Sequence, residues 1–511
     1  FALLGSLIAS GCVLWVAGRN GMSGLRVVLT GMAMHLLLGT VAVTLVLLNN
    51  QATKSLFIWG AGDLTQHDWY WVEWLLPKVG WALVIPFIFY RPLSIMKLGD
   101  AHARARGVPV TFIMIMMILA SLWLASVSIT AVGVIGFVAL MAPNIARTLG
   151  IGSSLHELIY SACMGALILL CMDTFAQWVS QWTVDLVPSG SAVALVGVPY
   201  LILLIKQGIL KENQLIQRAY TLPLKPLFRT GLVLLLILSF LLLLSWFYLP
   251  LEGVWGFPTE QQVQWRWPRV LGAFAAGVGM AISGLILQIM IRNPLASPDV
   301  LGMSSGATLA LVLASVITGT AITDLNVFIA FMGSSIVLIL LIGIGRKQAF
   351  APSMMVLLGV SITAFVESCI SFILAKGGNE VFSILNWISG STYHIQAEDA
   401  LWLLLFVGIT IGILLSLHRW LTLLILNDRN AQTLGLNIPH VRLVLLGIAA
   451  WLCAICTHVL GPIAFIGLIA PHVARLLGAR KVPIQILFSA LLGGIFMVLA
   501  NWLGQVVMFP I

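Results

Sequence analysis

The chain has 511 residues, 60% of them hydrophobic and only 8% charged, with a mean hydropathy of +1.07. Soluble domains carry about 25% charged residues, so this composition excludes a soluble enzyme or binding module and predicts an integral membrane protein. The net charge of +9 does not point to nucleic acid, because no basic domain exists to carry it.

From Phe1 the chain opens directly into an apolar run with no charged segment or cleavage site before it, so no signal peptide is expected and the start reads as internal. Apolar runs of about 17 to 24 residues then recur, the length of spanning helices rather than of barrel strands. The first runs carry Gly5-Ser6, Leu29-x-Gly31 and Trp59-x-x-Gly62, and a polar stretch, LGDAHARARG, follows at 98–107. Next comes GVIGFVALMAPNIARTLG, Gly133 to Gly150, an apolar run that reads as a membrane helix whose wet end carries Arg147. The longest polar and basic stretch lies at 206–229, where Pro223 and Pro226 interrupt any continuous helix. It reads as a cytoplasmic linker. Lys and Arg also gather at Arg91, Lys97, Arg104 and Arg106 and at Arg475, Arg480 and Lys481, which assigns those loops to the cytoplasm. The 251–265 loop and the loops after Asn49 and Lys376 are acidic or neutral and rich in tryptophan, as suits the outer face.

The Gly133 stretch returns as GPIAFIGLIAPHVARLLG, Gly461 to Gly478, with ten of eighteen positions identical at an offset of 328, among them Pro143/Pro471 and Arg147/Arg475. The same offset pairs Gly5-Ser6 with Gly333-Ser334, Leu29-x-Gly31 with Leu357-x-Gly359, and Trp59-x-x-Gly62 with Trp387-x-x-Gly390. The chain is therefore an internal duplication. The predicted fold is all-α and polytopic, two tandem repeats of about ten transmembrane helices each. The expected divisions are a first repeat at 1–210, short of about three helices at its front, a linker at 211–228, and a second repeat at 229–511, short of its last helix. That leaves about seven helices in the first and about nine in the second. An even number of spans per repeat makes the two parallel.

The polar stretch is duplicated too. Leu98-x-Asp100-x-x-Ala103-x-x-x-Gly107 recurs as Leu426-x-Asp428-x-x-Ala431-x-x-x-Gly435. One such segment alone reads as a solvated loop with a helix cap. Its duplication favours a contact surface, with Ala and Gly four apart leaving a shallow face for another protein to grip. The stretches differ at Gly99/Asn427, Arg104/Gln432 and Arg106/Leu434, so the two contacts need not be equivalent.

No G-x-x-x-x-G-K-[ST] loop is present and no soluble stretch is long enough for an ATPase domain. The chain is not expected to be an enzyme or to bind a cofactor, and any ATP would be hydrolysed by a separate subunit. An ion-coupled secondary transporter is the competing class, for which His35, Asp173, Glu367, His458 and His472 are the candidate intramembrane groups. Asp173 aligns with Asn501 and Glu367 with Gly39, so neither forms a duplicated relay. A channel would leave the paired polar segments unexplained. The six cysteines read as packing residues, and Cys453-x-x-Cys456 lacks a second ligand pair, so no metal site is expected. Met32, Met34, Met354 and Met355 read first as core or lipid-facing residues, and secondly as an adaptable path lining.

The duplicated polar segments resemble the coupling loops through which importer permeases contact an ATP-binding subunit. Arg266-Trp-Pro-Arg269-Val-Leu, then Gly284-x-x-x-Gln288-x-x-x-Arg292-Asn293-Pro294-Leu-Ala296-x-Pro298-x-x-x-Gly302, and both A-P-x-x-A-R-x-x-G segments resemble the FecCD/BtuC type of permease, which imports iron-siderophores, haem and vitamin B12. The likeness covers essentially the whole chain, and the fused double form is most similar to permeases for ferric hydroxamates such as ferrichrome. The resemblance implies two ATP-binding subunits at 98–107 and 426–435, a periplasmic substrate-binding protein docking at Arg266 and Arg269, and a multi-pass protein in the bacterial inner membrane among its lipids. It implies a structural role for Gly133, Pro143, Arg147, Arg292, Asn293, Pro294, Gly461, Pro471 and Arg475. The non-docking reading of Arg266 and Arg269 is snorkelling, or pairing with Glu260 or Glu252. Another chelate, such as haem, vitamin B12 or a catecholate siderophore, is the alternative cargo.

Overall fold

A computed structural model describes the chain apart from residues 18–26, 28–29, 32, 36, 40, 43–59, 61, 67, 150–152, 183–187, 207–226, 250–253, 295, 323–324, 346–351, 376–383, 385–386, 427 and 508–511. Most of the expected linker, Gly150, Asn427, Met32 and Trp59 thus lie outside the described residues.

The described chain is helical, as the apolar runs predict. Among the described residues nine helices are long and apolar enough to cross a membrane: Tyr70–Ile88, Val110–Val132, Ser154–Ser180, Arg229–Phe247, Glu260–Ile291, Val327–Gly345, Ala397–Ser416, Ile438–Leu460 and Val482–Val506. Five apolar helices are shorter: Ala2–Val16, Ser189–Tyr200, Met303–Thr318, Leu357–Ile373 and Ile466–Leu476. Among the described residues six of the long helices and three of the short ones follow the expected linker. The chain is a multi-pass membrane protein. A two-residue antiparallel pair, Tyr248–Leu249 against Val254–Trp255, is the one sheet among the described residues.

The chain forms two compact units, Phe1–Gln207 with Glu367–Gly377, and Gly208–Val366 with Gly378–Ile511. The short piece 367–377 comes from the second repeat by sequence but belongs to the first unit by packing, where Phe372 lies against Met172 and Val179 around buried Ala176 and Ala192. In the second unit the organising element is the Glu260–Ile291 helix, started by a reciprocal Thr259–Gln262 capping box and buried almost without interruption from Gly272 to Ile291. Lipid supplies no hydrophobic force to press helices together, so close contact relies on small residues. Gly284 shows this: a Cβ there would collide with the backbone of Gly467.

The expectation of a membrane helix across each repeated eighteen-residue stretch is corrected. After Gly133 the backbone leaves the helix, turns sharply at Phe137, and only then forms the 11-residue helix Val138–Thr148. The second repeat does the same through Gly461, Phe465 and the 11-residue Ile466–Leu476. At 1.5 Å per residue such a helix covers about 16 Å, half of a hydrocarbon core of about 30 Å. The cause is local. Phe137 (φ 65°) and Phe465 (φ 75°) have positive φ, and each centres a γ-turn closed by Val138 N–H donating to Gly136 O at 2.8 Å and Ile466 N–H to Ala464 O at 2.9 Å. This hand of γ-turn is rare and strained, and it stops a helix.

Candidate functional site

Both polar segments close in the same way. The first is a short helix, Asp100–Ala105, followed by Gly107 N–H donating to Arg104 O at 2.9 Å and Val108 N–H donating to Ala103 O at 3.0 Å. The second, Asp428–Thr433, is followed by Gly435 N–H to Gln432 O at 2.9 Å and Leu436 N–H to Ala431 O at 3.0 Å. Such a closure puts the residue after the helix in the left-handed region, and Gly107 (φ 77°) and Gly435 (φ 83°) supply it. Neither glycine has an atom within 4 Å of where a Cβ would stand, so backbone conformation, not close packing, requires them. The shallow Ala–Gly face is therefore corrected: Ala103 and Ala431 are fully buried, and the glycines lie beyond the helices. Among the described residues the segments present outward Leu98, Asp100, Arg104 and Arg106 in the first repeat and Asn430, Gln432, Thr433 and Leu434 in the second.

The arginines of the repeated motif are bound by different chemistry in each unit. In the first, Glu157 in the opening turn of the Ser154–Ser180 helix pairs with Lys97 at 2.6 Å and with Arg147 at 2.6 Å. Its carboxylate is sheltered, at 13% exposure, against 45% for the Lys97 side chain and 60% for that of Arg147. In the second, Arg475 Nη2 donates to Gln288 Oε1 at 2.7 Å, and Gln288 Nε2 donates to Leu468 O at 3.2 Å. Arg292 Nη2 reaches Leu424 O at 3.3 Å, in the His418–Leu426 helix just ahead of the polar segment. Lys97 and Glu157 correspond to Ile425 and Gln485, so the second unit cannot build the ion triad.

The remaining motif residues shape the backbone. Arg292 (φ 53°) ends the long helix in the left-handed region, buried Asn293 continues the turn through Ala296 N–H donating to Asn293 O at 3.1 Å, and Pro294 stands half-buried within it. Gly133 and Gly461, at φ 74° and 80°, end the preceding helices and open the breaks, while Pro143 and Pro471 lie inside the short helices.

At the other end of the long helix, Arg266 and Arg269 are half-buried. Arg266 Nη1 donates to Trp246 O at 3.0 Å, and the Arg269 guanidinium lies 3.9 Å over the Tyr393 ring. Asp173, a candidate for ion coupling, accepts from Ser189 Oγ and Gln177 Nε2, both at 2.8 Å, and its counterpart Asn501 accepts from Thr392 Oγ1 at 2.8 Å. Cys453 and Cys456 are buried free thiols, and among the described residues no group of three or more His, Cys, Asp and Glu comes together. Sequence reasoning missed Glu157, which it had no duplicated pattern to find, and passed over Gln288 as a motif letter.

The profile of the FecCD transport family matches residues 1–207 and 232–511. The chain is 33% identical over 525 residues to the iron(3+)-hydroxamate import system permease protein FhuB of Escherichia coli K12, across 100% of this chain and 78% of that protein. Other relatives match about half of it. The Fe(3+)-citrate import system permease protein YfmE of Bacillus subtilis 168 is 38% identical over 248 residues, 48% of this chain and 74% of its own length. The cobalamin import system permease protein BtuC of Halobacterium salinarum is 30% identical over 241 residues, 47% and 65% respectively. Among solved structures, a metal-chelate type ABC transporter in an inward-facing conformation aligns at 25% identity and a TM-score of 0.46, over 55% of this chain and 91% of its own.

Proposed function

The chain belongs to the FecCD transport family, and from that membership we propose that it is the permease of an ATP-binding-cassette importer for iron(3+)-hydroxamate chelates such as ferrichrome. One observation carries the cargo class: two relatives that align along the whole of this double-repeat chain are both iron(3+)-hydroxamate permeases, whereas the citrate and cobalamin permeases align with about half of it. Two ATP-binding subunits dock at 98–107 and 426–435, a periplasmic binding protein delivers the chelate to the outer face, and the protein works in the bacterial inner membrane. The chain itself binds no cofactor and hydrolyses no ATP.

The geometry supports a mechanical role for the two segments. Each is a short helix closed by a left-handed glycine; the first is joined through Lys97 and Glu157 to the start of a membrane helix, and the second through Leu424 and Arg292 to the long central one. A push from a closing ATPase pair is thereby delivered to the helices rather than absorbed by a loose loop. The test is uptake by proteoliposomes holding the permease, its ATP-binding subunit and a loaded binding protein. ATP-dependent uptake of ferrichrome, with haem, cobalamin and ferric citrate competing poorly, is expected. Uptake of one of those chelates in its place overturns the cargo, and uptake driven by a proton or sodium gradient without ATP overturns the class.

A further inference from the structure

Asp299 stands in the turn that follows the long central helix, and its Oδ2 accepts a hydrogen bond from Phe465 N–H at 2.9 Å. Phe465 is the centre of the γ-turn that breaks the second repeated stretch, at φ 75° and ψ −29°. A phenylalanine held there is strained and persists only where its surroundings fix it. The turn carrying Asp299 is itself stiff: Gly302 N–H donates to Asp299 O at 3.0 Å, Leu301 N–H to Ser297 O at 3.0 Å and Met303 N–H to Pro298 O at 2.8 Å. Asp299 keeps some exposed surface, but its Oδ1 is sealed from solvent beside the equally sealed Ser297 hydroxyl. A carboxylate at the start of a helix also complements the free N–H groups and dipole there.

The short helix that begins at this point is held at three further places. Its first turn is pressed onto Gly284 through Gly467, Gln288 grips its carbonyls, and Gln288 also receives Arg475 from its far end. Its bearing is therefore set at one end by Asp299 and at the other by Arg475, held on Gln288 of the central helix, whose capping residue, Arg292, reaches Leu424 just ahead of the second polar segment.

We propose that Asp299 is a positioning residue for transport, holding the Phe465 γ-turn in the geometry that aims the Ile466–Leu476 helix. This rests on the importer reading. Without the carboxylate, Phe465 relaxes to negative φ, the helix start shifts off Gly284, and motion delivered to the central helix no longer passes to the short helix.

The test compares Asp299→Ala and Asp299→Asn, each made in the native chain and in Phe465→Gly, as full complexes taking up ferrichrome. An amide oxygen still accepts from Phe465 N–H, and glycine adopts positive φ without strain. Asp299→Ala should lower maximal uptake by at least about tenfold, leaving the half-saturating concentration of loaded binding protein within about twofold. Asp299→Asn should keep at least about half of the native rate, and Asp299→Ala should cost less than about threefold in the Phe465→Gly background. Should Asp299→Ala fail to accumulate, the same comparisons are made on membrane level, where recovery with Phe465→Gly supports the proposal. An equal cost in both backgrounds, or Asp299→Asn as poor as Asp299→Ala, overturns it. A native chain without ferrichrome uptake counts against the importer reading instead, and the comparison is then read on membrane level alone.

Discussion

Glu157 decides how the first coupling segment is held. One sheltered carboxylate bridges Lys97, at the end of the helix before the segment, and Arg147, at the end of the repeated motif. Exposed ion pairs contribute only about 0–1 kcal/mol each, but removing this carboxylate leaves two cations facing each other across the gap it filled. Glu157→Gln should therefore lower uptake by about three- to tenfold without loss of membrane level. Native uptake should fall as salt is raised, and the variant should start low and respond little. Gln485→Glu supplies the matching control, because Ile425 stands where the first repeat has Lys97 and no triad can form. Native activity and native salt response in Glu157→Gln would show that the bridge is decorative. None of this was legible in advance. The offset that exposed the repeat hides Glu157, whose counterpart is a glutamine, since a role confined to one repeat leaves no duplicated letter.

The two polar segments were legible as elements because their spacing is kept twice in a polar setting, yet the physical reason lay elsewhere than in a shallow face. Ala103 and Ala431 turn inward, and Gly107 and Gly435 provide left-handed closures in open space. A bulky residue there meets no wall and still destabilises the turn, by about 1 kcal/mol or more for a β-branched side chain. Gly107→Val with Gly435→Val should loosen both segments and reduce co-purification of the ATP-binding subunit by about tenfold, with the permease still in the membrane. Undiminished complex formation together with normal transport in the double variant would remove the closures from the coupling account. The broken crossings were not legible. Hydropathy counts a non-helical apolar segment and an apolar helix alike, and the residue at each break is a phenylalanine, which no turn rule marks as a site of positive φ. Only the backbone reveals that the repeat preserves a break.

At the scale of the molecule the duplication read from sequence survives in backbone detail: Gly133 and Gly461, Phe137 and Phe465, and Gly107 and Gly435 share their unusual dihedrals pair by pair. The packing units do not follow the repeat as cleanly, since 367–377 joins the first unit, a long-range choice that no local pattern encodes.

Arg266 and Arg269 lie at the other end of the central helix from Arg292, so the proposed importer function puts them at the outer face, against the usual bias of basic residues toward the cytoplasm. Their hydrogen bond to Trp246 and stacking on Tyr393 refine the docking proposal without replacing it. An arginine fixed by one contact from its own chain loses less freedom when a carboxylate arrives, and its fork still offers further N–H donors. Tyr393, 55% exposed, keeps the Arg269 guanidinium at the surface. Charge reversal of both, Arg266→Glu with Arg269→Glu, turns attraction for an acidic partner into repulsion. The affinity for the loaded binding protein should fall by about 10- to 30-fold at low salt, and the difference should shrink as salt screens it. Membrane level and assembly with the ATP-binding subunit serve as controls, since loss of the Trp246 contact could disturb the helix start. Arg269→Lys separates the two roles of that residue: it keeps the charge but weakens the stacking, so it should dock nearly as the native chain does. Native affinity at both salt levels in the double reversal would leave these arginines as anchors of the helix at the membrane surface and nothing more.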